Sequence, residues 1–242
     1  MSENFPSSFQ PEDTPEAPRE GSFSERKKEL ALHVGELHDQ YITRIQRLLD
    51  EWQKIMDRPE YKAHPSRIGG DRKDFMRPKD YERYKEIHDE EEKYDMRVLK
   101  RLDETVKLFS EDPNVEWYLK PSGDLGSLAL TNSRHYRADI GNSYALEVSY
   151  YNYPDDMGTV HMPETYTESY SAKFIGKKNV SKGILKKKKE EVDFPPVYLK
   201  AEFSTKGELE PYAALKVFDE ETQKRMQSDV VSLGKRLREK LG

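Results

Sequence analysis

Apolar residues recur at steps of three or four from Leu30 through Val34, Leu37, Tyr41, Ile45, Leu48 and Trp52 to Ile55. That spacing draws one narrow apolar stripe along a single long helix. Ser22-Phe23-Ser24-Glu25 stands just before the stripe with capping-box spacing. The serine hydroxyl there takes a first-turn N–H and the glutamate reaches back to the cap's own N–H, so the helix is predicted to start at this point. Pro59 must end it. At 1.5 Å per residue the element is about 50 Å long.

A polar connection holding Pro65 to Gly70 and Arg77-Pro78 leads to a second stripe, Tyr84, Ile87, Tyr94, Val98, Leu102, Val106 and Phe109, interrupted by the acidic run Asp89 to Glu92. Pro78 suits a first helical position, and Pro113 limits the far end. A stripe this narrow stays dry only against another helix. The two elements are therefore expected to form a helical hairpin within the chain or a coiled-coil seam with a second copy, and the spacing does not choose between them.

At Pro113 the composition turns from Glu, Lys and Leu to Tyr, Ser, Thr, Val and Gly, as strands and hairpins require. Tyr144, Leu146, Val148 and Tyr150 alternate with Ala145, Glu147 and Ser149. Tyr166, Tyr170, Ala172 and Phe174 alternate with Thr165, Thr167, Ser169 and Lys173. Both patterns predict half-buried strands. Val197, Leu199, Ala201 and Phe203 form a third, and a turn at Lys206-Gly207 leads to a fourth carrying Ala213, Leu215 and Val217. Asp219 caps a closing helix whose stripe is Met226, Val230, Leu233, Leu237 and Leu241, with acids at its start and Lys235, Arg236, Arg238 and Lys240 at its end. This helix is expected either on the sheet or against the N-terminal helices.

The expected fold class is α+β: a long N-terminal helical hairpin, a mostly antiparallel Tyr-rich sheet of about five strands, and a C-terminal helix. The expected organisation is a disordered acidic Ser/Pro-rich tail over 1–21, the helical hairpin over 22–112, and the sheet with its closing helix over 113–242. The tail holds Pro6, Pro11, Pro15 and Pro18 with only Phe5 and Phe9 as large apolar residues, too few to offset the entropy of ordering it.

The 242 residues are 36% charged and 34% hydrophobic, which calls for long exposed helix faces rather than a thick interior. The absence of cysteine removes disulfides, thiolate nucleophiles and cysteine-ligated metals. No apolar run approaches the roughly 20 residues of a membrane span, and the first residues lack the basic and apolar regions of a secretory signal. A cytoplasmic protein without membrane attachment is expected. Asn179-Val180-Ser181 becomes a glycosylation acceptor only in a secreted chain, and the Ser/Pro-rich start leaves open an export address of another kind.

Chemistry-bearing patterns are sparse. His33 and His38 lie five apart, which puts the rings roughly 140° apart on a helix and prevents them from gripping one metal. No histidine follows a glutamate by three, as helical di-iron sites require. No phosphate-binding glycine loop and no Gly-x-Ser-x-Gly elbow occurs. Neither a metal nor a cofactor is expected, and no residue is assigned a catalytic role. His135 and His161, with Asp139, Asp155, Asp156 and Glu164, supply the types used in acid–base or hydrolytic chemistry, although Asn152-Tyr153-Pro154-Asp155-Asp156 is also a plain turn sequence.

The sharpest local signal is basic. Lys177, Lys178, Lys182, Lys186, Lys187, Lys188 and Lys189 put seven positive charges between Gly176 and Glu190, with no acid among them, in a chain of net charge −5. Such a run suits phosphate backbones, and it equally suits a hairpin tip kept soluble by lysine. The 15 tyrosines suit a recognition surface, and tyrosine is also a common strand residue. The leading expectation is a non-enzymatic interaction, adaptor or scaffold module that docks a protein partner, or a second copy of itself, through the helical stripes and the tyrosine-rich sheet. The alternative is a nucleic-acid-associated protein using the lysine segment. The third is a hydrolase or transferase around His135, His161 and the Asp155/Asp156 turn.

Overall fold

The computed structural model describes residues 22–64, 71–120, 132–154, 166–182, 186–203, 209–210 and 217–242. The tail expected over 1–21 and the Pro65 to Gly70 connection lie outside them.

Ser22 forms the expected capping box, its Oγ accepting from the Glu25 N–H at 3.3 Å while Glu25 Oε2 accepts from the Ser22 N–H at 3.0 Å. The helix it starts runs as α1 (Phe23–Gln40), a π-helical stretch Tyr41–Ile45, and α2 (Gln46–Met56). The π-helical widening was not visible in the stripe. It sits where Tyr41 meets Tyr94, with ring centroids 5.3 Å apart. The helix stops at Met56 as required, and Pro59 then opens a single turn, α3 (Pro59–Lys62), behind an extended Arg58. A second short turn, α4 (Arg72–Phe75), precedes α5 (Pro78–Glu111), which begins on its proline and ends before Pro113.

Contacts between the two long helical elements run in opposite chain order: Phe23 with Phe109, Tyr41 with Tyr94, Arg44 with Glu90, Glu51 with Arg83, and Arg58 with Asp80. The hairpin therefore closes within one chain. At its tip the Tyr61 hydroxyl donates to Asp80 Oδ2 at 2.6 Å and accepts from the Arg77 N–H at 3.1 Å, while Arg58 reaches the same carboxylate at 2.7 Å. Ile55, Tyr61 and Met76 form a small separate core there.

The sheet is a meander in strand order β1 (Tyr118–Lys120), β2 (Asn132–Ile140), β3 (Tyr144–Pro154), β4 (Tyr166–Lys182), β5 (Lys186–Phe203) and β6 (Leu209–Glu210), every neighbouring pair antiparallel. The strands expected around Tyr144, Tyr170 and Leu199 are present; β1 and β2 are additions. The turn at Lys206-Gly207 lies outside the described residues, yet β5 and β6 pair across it through Phe203 and Leu209. Ala213 and Leu215 also lie outside, and Val217 falls in a helical turn rather than a strand. Between β2 and β3 the backbone turns at Gly141 with φ 61°, and a Cβ there would stand 3.0 Å from the Ala31 Cβ of α1, so both conformation and space favour glycine.

β3 is not half-buried as expected, whereas β4 alternates buried Tyr170, Ala172 and Phe174 with more exposed Ser171 and Lys173. Tyr136, Leu146, Val148, Tyr170 and Phe174 turn toward the helices, but Ala145, Glu147 and Ser149, on the other face of β3, are buried too. β3 is central, and the His135, Arg137 and Lys173 side chains of its two neighbours reach over Glu147 and Ser149 on that face. One core joins the stripes of α1 and α5 to this sheet face. The closing helix α6 (Glu220–Leu241) supplies Met226, Val230, Leu233 and Leu237 to the same core. Both locations proposed for it hold: it lies on the sheet, and its Arg225 grips Asp103 of α5 through paired bonds of 3.2 and 2.9 Å. Gly234 allows the close approach, since a Cβ there would stand 2.4 Å from the Tyr170 ring.

Candidate functional site

The seven lysines fall on both sides of the β4–β5 hairpin. β3 follows β4 only as far as the pair Tyr144 and Gly176. Beyond it β4 and β5 pair with each other for six more rungs: Lys177 with Glu191, Lys178 with Glu190, Asn179 with Lys189, Val180 with Lys188, Ser181 with Lys187, and Lys182 with Lys186. Among the described residues neither strand has a second neighbour along this stretch. The result is a two-stranded ribbon continuing past the sheet. The expectation of a lysine-bearing hairpin tip and that of a phosphate-tracking segment meet in the same element.

The base of the ribbon is irregular. Pairing jumps from Lys173 with Tyr198 to Ile175 with Asp193, so two steps along β4 answer five along β5. Pro195 and Pro196 lie in the longer side. Neither has an N–H to give to a ladder, and an interruption of this kind bends and twists the strands that pass through it.

Charge is graded along the ribbon. In the two rungs nearest the sheet each lysine stands opposite a glutamate, while the outer four rungs hold Lys182 and Lys186 to Lys189 with no acid. Lys182 and Lys186 are directly opposed, a like-charge pairing that is unfavourable in isolation.

His135 belongs to a second cluster, on the sheet face away from the helices. Arg137 donates through Nε to Glu147 Oε2 at 2.6 Å, with Nη2 at the same distance, and Lys173 Nζ lies 3.4 Å from Glu147 Oε1. His135 Nδ1 lies 2.9 Å from Ser149 Oγ and 3.6 Å from Glu147 Oε1. Burial alone would push the Glu147 carboxyl up, but the His135 bond and the Arg137 and Lys173 charges outweigh it and hold the group down at about 2. A carboxylate so firmly ionised is a poor proton acceptor.

The serine, histidine and glutamate resemble a nucleophilic relay in composition only. A relay uses the two imidazole nitrogens in line, one toward the nucleophile and one toward the carboxylate. Here one nitrogen, Nδ1, faces both. His161, Asp155, Asp156 and Glu164 lie outside the described residues, and Asp139 sits two rungs beyond Arg137 on the same strand face, opposite Ala145. The cluster ties β2, β3 and β4 together through charge.

This network was missed in the sequence because β2 was missed. Once the turn at Gly141 is recognised, antiparallel register pairs Arg137 with Glu147 and His135 with Ser149. The N-terminal histidines are apart from both clusters: His38 lies against the Tyr144 ring at 6.2 Å and near Asp39, and His33 is half-buried on α1. Among the described residues no group of three or more His, Asp or Glu is arranged to hold a metal ion, and no helix is long and apolar enough to cross a membrane.

The sheet tyrosines divide between core and surface. Tyr136, Tyr150 and Tyr170 are buried. The Arg238 guanidinium lies 4.5 Å over the Tyr150 ring and donates to the Tyr170 hydroxyl at 3.1 Å. Tyr118 and Tyr166 are exposed.

The fold and these two clusters define an α+β protein with an antiparallel meander backed by helices on one face and extended by a basic ribbon. Comparison with protein-family models, with curated proteins and with solved structures found no match.

Proposed function

We propose that this chain is a non-enzymatic binding module whose partner is nucleic acid, held through the β4–β5 ribbon. The single observation carrying this reading is the register beyond Gly176, which concentrates five lysines in four rungs outside the body of the sheet. Positive charge gathered this way gains affinity for a polyphosphate by releasing condensed counterions. The acids that give the chain its net charge of −5 are spread over the rest of the sequence, so the attraction is local. The cytoplasm is the compartment taken with this reading.

The test is binding of the full chain to labelled DNA and RNA across a salt series, beside a variant with Lys186 to Lys189 changed to glutamine. Binding that falls steeply with salt and is lost in the variant is expected. Salt-independent binding, or none at low salt, would sink the reading.

A second reading, docking of a protein partner or a second copy, is favoured by Leu32 and Ile42, which are 68% and 51% exposed on the outer side of the first helix. It draws on the outside of the helical hairpin, since the inward stripe is occupied by this chain's own core. Light scattering across a concentration series tests it: a constant monomer mass, with no change on Leu32→Ser, counts against self-association.

A further inference from the structure

We infer that the ribbon enters the major groove of double-stranded DNA and contacts its phosphates without reading sequence; the inference rests on the nucleic-acid reading above and names the form of the partner. A two-stranded β-ribbon is one of the two shapes that the major groove of B-form DNA, about 12 Å wide, admits. Six rungs at about 3.4 Å each extend the ribbon roughly 20 Å past the last pairing with β3, enough to lie along such a groove.

Residue types on the ribbon separate duplex from single strand. Proteins that hold single strands supply aromatic rings for the bases to stack on. From Lys177 to Lys182 and from Lys186 to Glu191 there is no aromatic residue. The same stretches contain no arginine, asparagine other than Asn179, or glutamine. Bidentate readout of adenine is made by asparagine or glutamine, and that of guanine by arginine or lysine. What the ribbon does supply is lysine, a point charge suited to phosphate. Phosphate contacts set position and affinity but carry no sequence information.

The charge gradient gives the direction of approach. The two basal rungs are internally balanced by Glu190 and Glu191, so the positive end is the outer one, and it leads. Lys182 and Lys186 share one rung, a like-charge register that flanking rows of phosphate would offset. Double-stranded RNA offers a poor fit, because the major groove of an A-form helix is deep and too narrow to admit protein elements. The interruption at Pro195 and Pro196 lets the ribbon take a direction different from that of the sheet behind it.

The experiment titrates the full chain against fluorescein-labelled duplex DNA, duplex RNA and single-stranded DNA of one length and mixed sequence, with anisotropy as the readout. Five neutralised phosphates give a log–log salt slope of about −4.5, a fall in affinity of roughly 500-fold between 50 and 200 mM salt. Duplex DNA is expected to bind tightest, with little change when its sequence is scrambled. Lys186 to Lys189 changed together to glutamine should flatten the slope to about −1. The same four changed to arginine should bind at least as well as the parent, and thermal melting of each variant establishes that it is folded. Single-stranded DNA or duplex RNA binding as tightly as duplex DNA overturns the groove inference while leaving nucleic-acid binding intact. Binding to none of the three overturns both.

Discussion

Replacing Gly234 with alanine sets two effects of opposite sign against each other. Alanine in a helix interior is favoured over glycine by about 1 kcal/mol, so on propensity alone the change would stabilise α6. The new methyl, however, would stand 2.4 Å from Tyr170 Cδ1 and 3.0 Å from Cε1, well inside contact distance. The ring has little room to retreat: Tyr170 is fully buried, its ring centre is 5.2 Å from that of Tyr150, and its hydroxyl accepts from Arg238. Overpacking of a tight core costs about 1–3 kcal/mol, and displacing a pinned ring belongs at the upper end of that range. The net expectation is a loss of about 2 kcal/mol. Urea denaturation followed by circular dichroism should show a lower midpoint with an unchanged slope. In a Tyr170→Leu background, where the ring is gone, Gly234→Ala should become neutral or stabilising, a coupling of about 2–3 kcal/mol. A Gly234→Ala protein as stable as the parent would refute the close packing of α6 on β4.

Two further changes probe charge. Glu147→Gln leaves the buried Arg137 guanidinium without its carboxylate and should cost about 3–5 kcal/mol in denaturant titrations at neutral pH. Because Glu147 lies at about 2 in the fold against 4.5 ordinarily, it contributes about 3 kcal/mol above pH 4.5, lost as pH falls through 2. The parent but not the variant should show that acid dependence. Asp95 behaves oppositely, since burial and then the neighbouring Glu91 raise it to about 6. A raised carboxyl costs stability once ionised, fully above pH 6 and not at all below its ordinary 3.8. Asp95→Asn should therefore stabilise by about 1–2 kcal/mol at pH 7, after allowance for solvent screening, and lose that advantage by pH 4; equal melting temperatures at pH 7 would contradict it.

The helices were legible because their signals are local. Ser22 and Glu25 act on one turn, and Pro59, Pro78 and Pro113 act on the residue beside them. The partner of the first stripe was not legible, because a narrow apolar stripe looks the same whether it faces its own chain or another. β2 was overlooked for a related reason: Arg137 and Asp139 interrupt its apolar residues, and the compatibility of Arg137 with a buried strand depends on Glu147 across the turn. The lysine run could be read as charge but not as shape. Its continuation past the sheet follows from β3 ending its pairing at Gly176, a fact about a neighbouring strand.

The shared core has a consequence for synthesis. Tyr136, Val148, Tyr150 and Tyr170 belong to the core that α6 completes, and α6 is made after every one of those strands. A nascent chain that has completed its meander thus presents a greasy, tyrosine-lined slab to the cell until Met226 to Leu237 arrive to cap it. During that interval the slab is a surface for chaperones or for misassembly with neighbouring copies.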